Sequence, residues 1–208
     1  FCGIYDCSFH AHNSGTIGHM VSTFAIRFYA WKAYAFADVS MQCTVNGYFD
    51  VGSRFEWLDK IIRPKQLELK TLQEKISFTE QVLLKRLSAV RENTVVNDTI
   101  QNILINKGSL DIAKLAKESF VSTRQLERLF HEYVGITPKK LSNLVRYQFL
   151  WRDILCEPDF DVLSAVYKFG YTDQSHLLRE FKRYHSMDIH NAKIMAFKDV
   201  GNIQDVFV

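Results

Sequence analysis

The sequence predicts an α+β chain. A partial N-terminal β-barrel-like region and a helical hairpin precede an all-α domain with two helix-turn-helix units joined by a long linker helix. Three observations carry this expectation. Residues 1–51 are rich in β-branched and aromatic side chains, with Gly3, Gly15, Gly18 and Gly47 as punctuation. Residues 55–91 have few glycines and heptad-like apolar spacing. The stretch 122–138 returns in weaker form 51 residues later, at 173–189. The expected organisation is a β-rich, sensor-like region plus hairpin over 1–92, a double helix-turn-helix domain over 93–190, and a tail of unassigned role over 191–208.

In chain order, residues 21–28 read as a strand with blurred alternation. Cys2, Cys7, His10 and His12 lack the spacing of common zinc sites, so buried thiols and surface histidines are the preferred reading, with no metal. Trp31, Tyr34 and Phe36 line a pocket or, more simply, pack a core. Leu58, Ile61 and Ile62 predict a helix limited by Pro64, and Leu67, Leu69, Leu72 and Ile76 a second. Ser77 to Glu80 has capping-box spacing and predicts the start of a third, through Val82, Leu83, Leu87 and Val90. A lid on the β region and a dimerisation hairpin fit this hairpin equally well. The polar run 91–96 is the expected domain boundary, and the next helix keeps Ile100, Ile103 and Leu104 inward before ending at Gly108.

The duplication is the most informative feature. Leu126, Arg128, Phe130 and Tyr133 recur as Leu177, Arg179, Phe181 and Tyr184. The preceding residues pair on the same offset as Phe120 with Tyr171, Ile112 with Leu163, and Leu115 with Val166. Each copy reads as a short support helix, a turn and an amphipathic second helix, the form of a helix-turn-helix reader. Ser122 with Gln125 predicts a capped start for the first reader, and Gly135 its end. Thr137-Pro138 opens the linker helix, which carries Leu141, Leu144, Val145, Phe149 and Leu150 inward to about Leu155. The second copy has drifted: Ser186 replaces Gly135, Ile189 replaces Pro138, and Glu180 stands where the first has Leu129. That predicts a looser closing turn.

Charge argues weakly against a nucleic-acid partner. The formal net charge is +3, and residues 94–190 hold 13 Lys plus Arg against 12 Asp plus Glu, a difference of +1. Local placement still decides phosphate affinity. Cys2, Cys7, Cys43 and Cys156 form no disulfide framework, which fits a cytoplasmic protein, and no apolar run has membrane-span length. The opening at Phe1, inside strand-like sequence, reads as a fragment or a processed start. No catalytic constellation, phosphate-binding glycine loop or cofactor signature is present, so an enzyme is not expected.

Several stretches together resemble the AraC/XylS family of bacterial transcriptional regulators. They are Ser122-Thr123-Arg124-Gln125-Leu126-Glu127-Arg128-Leu129-Phe130, Val134-Gly135-Ile136-Thr137-Pro138-Lys139, Arg146-Tyr147-Gln148 and Gly170-Tyr171-Thr172-Asp173-Gln174-Ser175-His176-Leu177. More faintly, Ile26-Arg27-Phe28-Tyr29-Ala30-Trp31 and the stretch around Asp50 resemble the end of the β-barrel sensor domain in one branch of that family. The resemblance implies two reader helices entering successive major grooves of promoter DNA. Carried over by motif, the base-contacting positions are Arg124, Glu127, Arg128, Gln174, Ser175 and Arg179. Their chemistry suits guanine, adenine and cytosine edges. Thr123, Lys139, His176, Lys182 and Arg183 are the expected phosphate contacts. For Arg128 the competing reading is a surface ion pair with Glu132. RNA polymerase, a second copy bound through 55–91 and a small-molecule effector in the N-terminal region are further partners this reading admits. Two rivals stand beside it: a helix-turn-helix protein-interaction module, and a cupin-like metal or small-molecule binder.

Overall fold

The computed structural model describes residues 24–90 and 92–198 of the chain. Among them lie nine α-helices and no β-strand, with Tyr48 alone in bridge geometry. The expected α+β class and β-barrel-like region are thereby overturned. Residues 24–28 of the expected strand are described and lie outside any strand. Alternation predicts only a two-faced extended chain, whereas a strand needs a hydrogen-bonded neighbour. Here Ile26 and Phe28 pack instead against a helix-lined core of Ala35, Phe36, Phe55, Leu58 and Ile62. The remainder of that strand and the Cys2, Cys7, His10 and His12 group lie outside the described residues. Among the described residues no cluster of potential metal ligands occurs, and no helix is long and apolar enough to cross a membrane.

The described chain divides into two compact units, one of residues 24–100 and 113–138, the other of 101–112 and 139–198. In the first, α1 (Glu56–Glu68) and α2 (Leu72–Leu87) form the hairpin. Three predicted helices are thus two. Pro64 lies inside α1 rather than ending it, and α2 runs unbroken through 77–80. The working capping box is Thr71–Glu74, whose reciprocal bonds measure 3.2 and 3.0 Å. Thr79, inside the stretch expected to start a third helix, is buried, donates to the Lys75 carbonyl at 2.7 Å and joins Gln66 of α1 at 2.9 Å. Phe78, Val82 and Leu83 pack toward the core, while Leu67, Leu72 and Leu84 stay exposed. Trp57 ties α1 to the preceding segment by donating from Nε1 to the Phe36 carbonyl at 2.7 Å.

Helix α3 (Thr94–Ile105) buries Val96, Thr99, Ile100 and Ile103. Lys107 (φ 50°) and Gly108 (φ 75°) then reverse the chain. A Cβ at Gly108 would lie 2.1 Å from the Ser142 carbonyl oxygen, so this turn admits only glycine. Support helix α4 (Ile112–Glu118) buries Leu115 and Ala116 but leaves Ala113 exposed. The first reader is α5 (Thr123–Tyr133), and Pro138–Cys156 forms the linker helix α6. The second support helix is α7 (Val162–Phe169), the second reader α8 (Gln174–His185). The described residues of the tail belong to α9 (Ile189–Lys198), whose Ala192 enters the core of the second unit with Leu150, Ile154, Val166, Phe169, Leu177 and Phe181.

The two copies superpose in sequence by two offsets rather than one. Over the readers, burial repeats at 51 residues, Leu126 and Phe130 matching Leu177 and Phe181. Over the support helices it repeats at 50, with Leu115 and Ala116 matching Ala165 and Val166. On the expected 51-residue pairing Ile112 would match Leu163, which is exposed. The second turn holds one extra residue, and the chain-reversing positions are Phe120 (φ 55°) and Gly170 (φ 66°). Tyr171 is therefore the counterpart of Val121, not of Phe120.

Candidate nucleic-acid interface

Each reader helix is started by local chemistry. The Ser122 hydroxyl accepts from the Gln125 N–H at 3.1 Å, and the Asp173 carboxylate accepts from the His176 N–H at 2.7 Å. Both satisfy a backbone donor that the first helical turn leaves free. Gly135 (φ 96°) closes α5, donating to the Phe130 carbonyl at 2.9 Å. At the matching place Ser186 adopts φ 60° and closes α8 by donating to Lys182 at 2.8 Å. The second closing turn keeps its bond despite the missing glycine.

With Leu126 and Phe130 buried, helical periodicity turns Arg124, Glu127 and Arg128 outward together, and all three are exposed. Among the described residues Arg128 makes no ion pair with Glu132, the competing assignment. Thr123 is exposed on the same first turn. In α8, Gln174, Ser175 and Arg179 are exposed in the same register, and Arg179 folds back to donate from Nε to the Ser175 carbonyl at 3.2 Å. Lys182 and Arg183 are exposed, with the Arg183 guanidinium 5.8 Å from the Tyr184 ring centre. Lys139 is exposed in the first turn of α6. His176 is half-buried, edge-on to Tyr171 at 5.3 Å, and its Nδ1 accepts from the Thr172 N–H at 3.5 Å. Its ring serves the turn as well as the surface.

Sequence reasoning missed two neighbours of these faces. The first is the 3-10 turn Met41–Thr44, which packs against α5. Gly135 permits this approach: a Cβ there would lie 2.7 Å from the Met41 carbonyl oxygen. Ser40 and Gln42 consequently share a cleft of about 730 Å³ with Arg124, Glu127, Arg128 and His131. Tyr34 also reaches the reader, edge-on to Tyr133 at 4.8 Å. Burial, Glu92 and Tyr133 together raise its phenol pKa above the ordinary value. No local pattern links 40–42 to 124–131, so nothing in the sequence could have exposed this contact.

The second is Arg146 in α6. It donates from one terminal nitrogen to both oxygens of Glu180, at 3.0 and 2.8 Å, and the Tyr171 hydroxyl donates to the same carboxylate at 2.8 Å. The guanidinium lies 4.1 Å from the Tyr171 ring centre. Burial, first, and then the Glu180 carboxylate push the Tyr171 phenol far up, keeping it a hydrogen-bond donor. One signal was available: a carboxylate in an apolar stripe demands a buried partner. Nearby, His185 stacks on Phe181 with ring centres 4.6 Å apart and hydrogen-bonds the Tyr147 hydroxyl. Burial lowers its pKa to about 4, so it is neutral at pH 7.

Comparison with known proteins agrees with this geometry. A family model described as a helix-turn-helix domain matches residues 115–191. The chain is similar to the HTH-type transcriptional activator RhaS of Escherichia coli O139:H28 (strain E24377A / ETEC) and to that of Escherichia coli strain SE11. Each is 25% identical over 119 residues, covering 54% of this chain and 42% of the relative. The chain thus matches less than half the length of these curated relatives. No solved structure gives a significant match. The motifs, the paired helix-turn-helix units and these relatives together support an AraC/XylS family regulator.

Proposed function

We propose that the chain is a sequence-specific DNA-binding regulator that inserts α5 and α8 into successive major grooves of promoter DNA. The observation that carries this is the match of Arg128 and Arg179. They are exposed at equivalent places on two readers whose buried Leu126 and Phe130 recur as Leu177 and Phe181. Among the described residues neither arginine makes an ion pair, and an exposed guanidinium can grip guanine O6 and N7. Linker helix α6 has 19 residues and so runs for about 28 Å, of the order of one duplex turn, about 34 Å. Arg124, Glu127, Gln174 and Ser175 are the further base contacts, and Thr123, Lys139, His176, Lys182 and Arg183 hold phosphates. An effector would occupy the cavity of about 730 Å³ in the first unit, lined by Phe24, Phe28, Phe55, Leu58, Ile62 and Val134. Val134 is the C-cap of the first reader, so occupancy of the cavity would act directly on the end of α5.

The test is selection of preferred duplexes from a random pool with the wild-type chain, Arg128→Ala and Arg179→Ala. Each variant is expected to relax preference at one base position, the two positions lying about a helical turn apart, at a cost of about 1–3 kcal/mol each. Binding should weaken steeply with added salt. Equal weakening on all sequences by both variants would remove the base-contact assignment. Absence of binding to any duplex at low salt would favour a protein-interaction module.

A further inference from the structure

We propose that the Arg146–Glu180–Tyr171 cluster is a positioning device that fixes the rotation of the second reader about its own axis, and so aims Arg179 at its base. This rests on the DNA reading above. Helix α8 is otherwise held by Leu177 and Phe181, both buried, and by aromatic contacts along one side. Apolar packing is non-directional, so a stripe of this kind tolerates a small roll. A roll of about 20° moves a side-chain atom at a radius of about 6 Å through about 2 Å. That exceeds the distance range over which a base-edge hydrogen bond survives. Glu180 is the residue next to Arg179 and grips a fixed partner on α6 with both oxygens, at 3.0 and 2.8 Å. The carboxylate is also held by Tyr171, from the turn that precedes the reader. Three points of attachment leave α8 one rotational setting.

Stability alone does not account for the cluster. The two side chains are 7% and 9% exposed, and burying an ion pair commonly gains nothing over apolar residues of similar volume. The Arg146 Nε is buried with no acceptor among the described residues, a further cost of the arrangement. The first reader carries Leu129 at the matching position, so an apolar residue is compatible with a reader helix there. What the ion pair adds is direction, the property an apolar pair lacks.

The experiment compares base discrimination at the two half-sites for the wild-type chain and for Arg146→Leu/Glu180→Leu, with amide exchange of α8 monitored in both. The apolar pair is expected to keep or raise thermal stability and to leave discrimination at the Arg128 position unchanged. At the Arg179 position, discrimination of roughly 5- to 150-fold should fall to within about twofold. Should the double variant lose α8, Glu180→Gln takes its place. It keeps one oxygen acceptor for Arg146 and Tyr171, and an intermediate loss is expected at the Arg179 position only. Full discrimination at that position in a folded variant overturns the positioning role while leaving the DNA reading intact. A wild-type chain that discriminates at neither half-site overturns the DNA reading on which the role depends.

Discussion

The two reader units share a plan and differ in what holds them. The first ends in a glycine and leans on the 3-10 turn Met41–Thr44. The second ends in Ser186, carries a carboxylate in its inward stripe, and fastens it to Arg146 and Tyr171. The substitutions that made the second copy look degraded are compensated. Ser186 accepts the left-handed conformation and keeps its closing bond, and Glu180 has two partners at hydrogen-bond distance. Divergence between duplicated units is therefore poorly judged from sequence similarity, because a polar residue in an apolar stripe signals decay only if its partner is missing.

The sharpest way to break the comparison is to replace the residue that differs. Glu180→Leu restores the residue of the first unit but strands a buried guanidinium, and should destabilise the second unit by about 3–5 kcal/mol. Leu129→Ala, at a half-buried site of the first reader, should cost well under the 2–5 kcal/mol of a fully buried leucine. Native-state hydrogen exchange resolved by helix would separate the two. Similar losses in α5 and α8 would mean that the ion pair plays no distinct part.

A second contrast is pH. His185 has a folded pKa of about 4 against about 6.5 unfolded, so the unfolded chain takes up its proton first on acidification. Its contribution is complete above pH ~6.5 and is lost as pH falls toward 4. After discounting for a partly exposed ring, the loss is on the order of 1–2 kcal/mol. His185→Phe should keep the stacking on Phe181 and flatten the stability difference over that window. Denaturant unfolding of both proteins at pH 7 and 4.5 checks this, and equal acid sensitivity would count against the buried neutral histidine. Val134 stands at the matching place in the first unit, which should show no such component.

The smallest effect concerns the two chain reversals. Phe120 holds φ 55° with its side chain 97% exposed, where the second unit has Gly170 at φ 66°. Left-handed backbone costs a non-glycine residue about 1–2 kcal/mol, and so exposed a ring packs against little. Phe120→Gly should therefore stabilise the first unit by about 1 kcal/mol, and Gly170→Ala should destabilise the second by a similar amount or more. Added to the backbone strain, a Cβ at 170 would meet the Ser109 hydroxyl at 2.6 Å. Thermal melts read both signs, and a destabilising Phe120→Gly would show that the ring is engaged.

Where the sequence was legible, the determinants were local. Asp161, Gly170 and Asp173 mark the ends of α7 and the start of α8 because capping involves residues within one turn. The outward register of Arg124, Arg128, Ser175 and Arg179 follows from the apolar stripe beneath them. The N-terminal region was misread for the opposite reason. Alternation at 21–28 could not say whether a neighbouring strand existed, and the described residues of that segment pack on helices instead. The single-offset repeat failed because Ile112 and Leu115 match apolar residues at 50 or at 51 equally well. Only burial chooses between them. Pro64 alone predicts a stop, but a proline can be carried within a helix whose ends are otherwise anchored, as α1 is by Trp57 and Gln66.

The Arg146–Glu180 contact also constrains descent. Either residue altered alone leaves its partner charged, dehydrated and alone, so the route back to two aliphatic side chains passes through a damaged intermediate. Homologues should therefore carry both ionic residues or neither. That makes the couple an inherited marker, by which lineages that have committed to this way of seating the second helix could be told from those that have not.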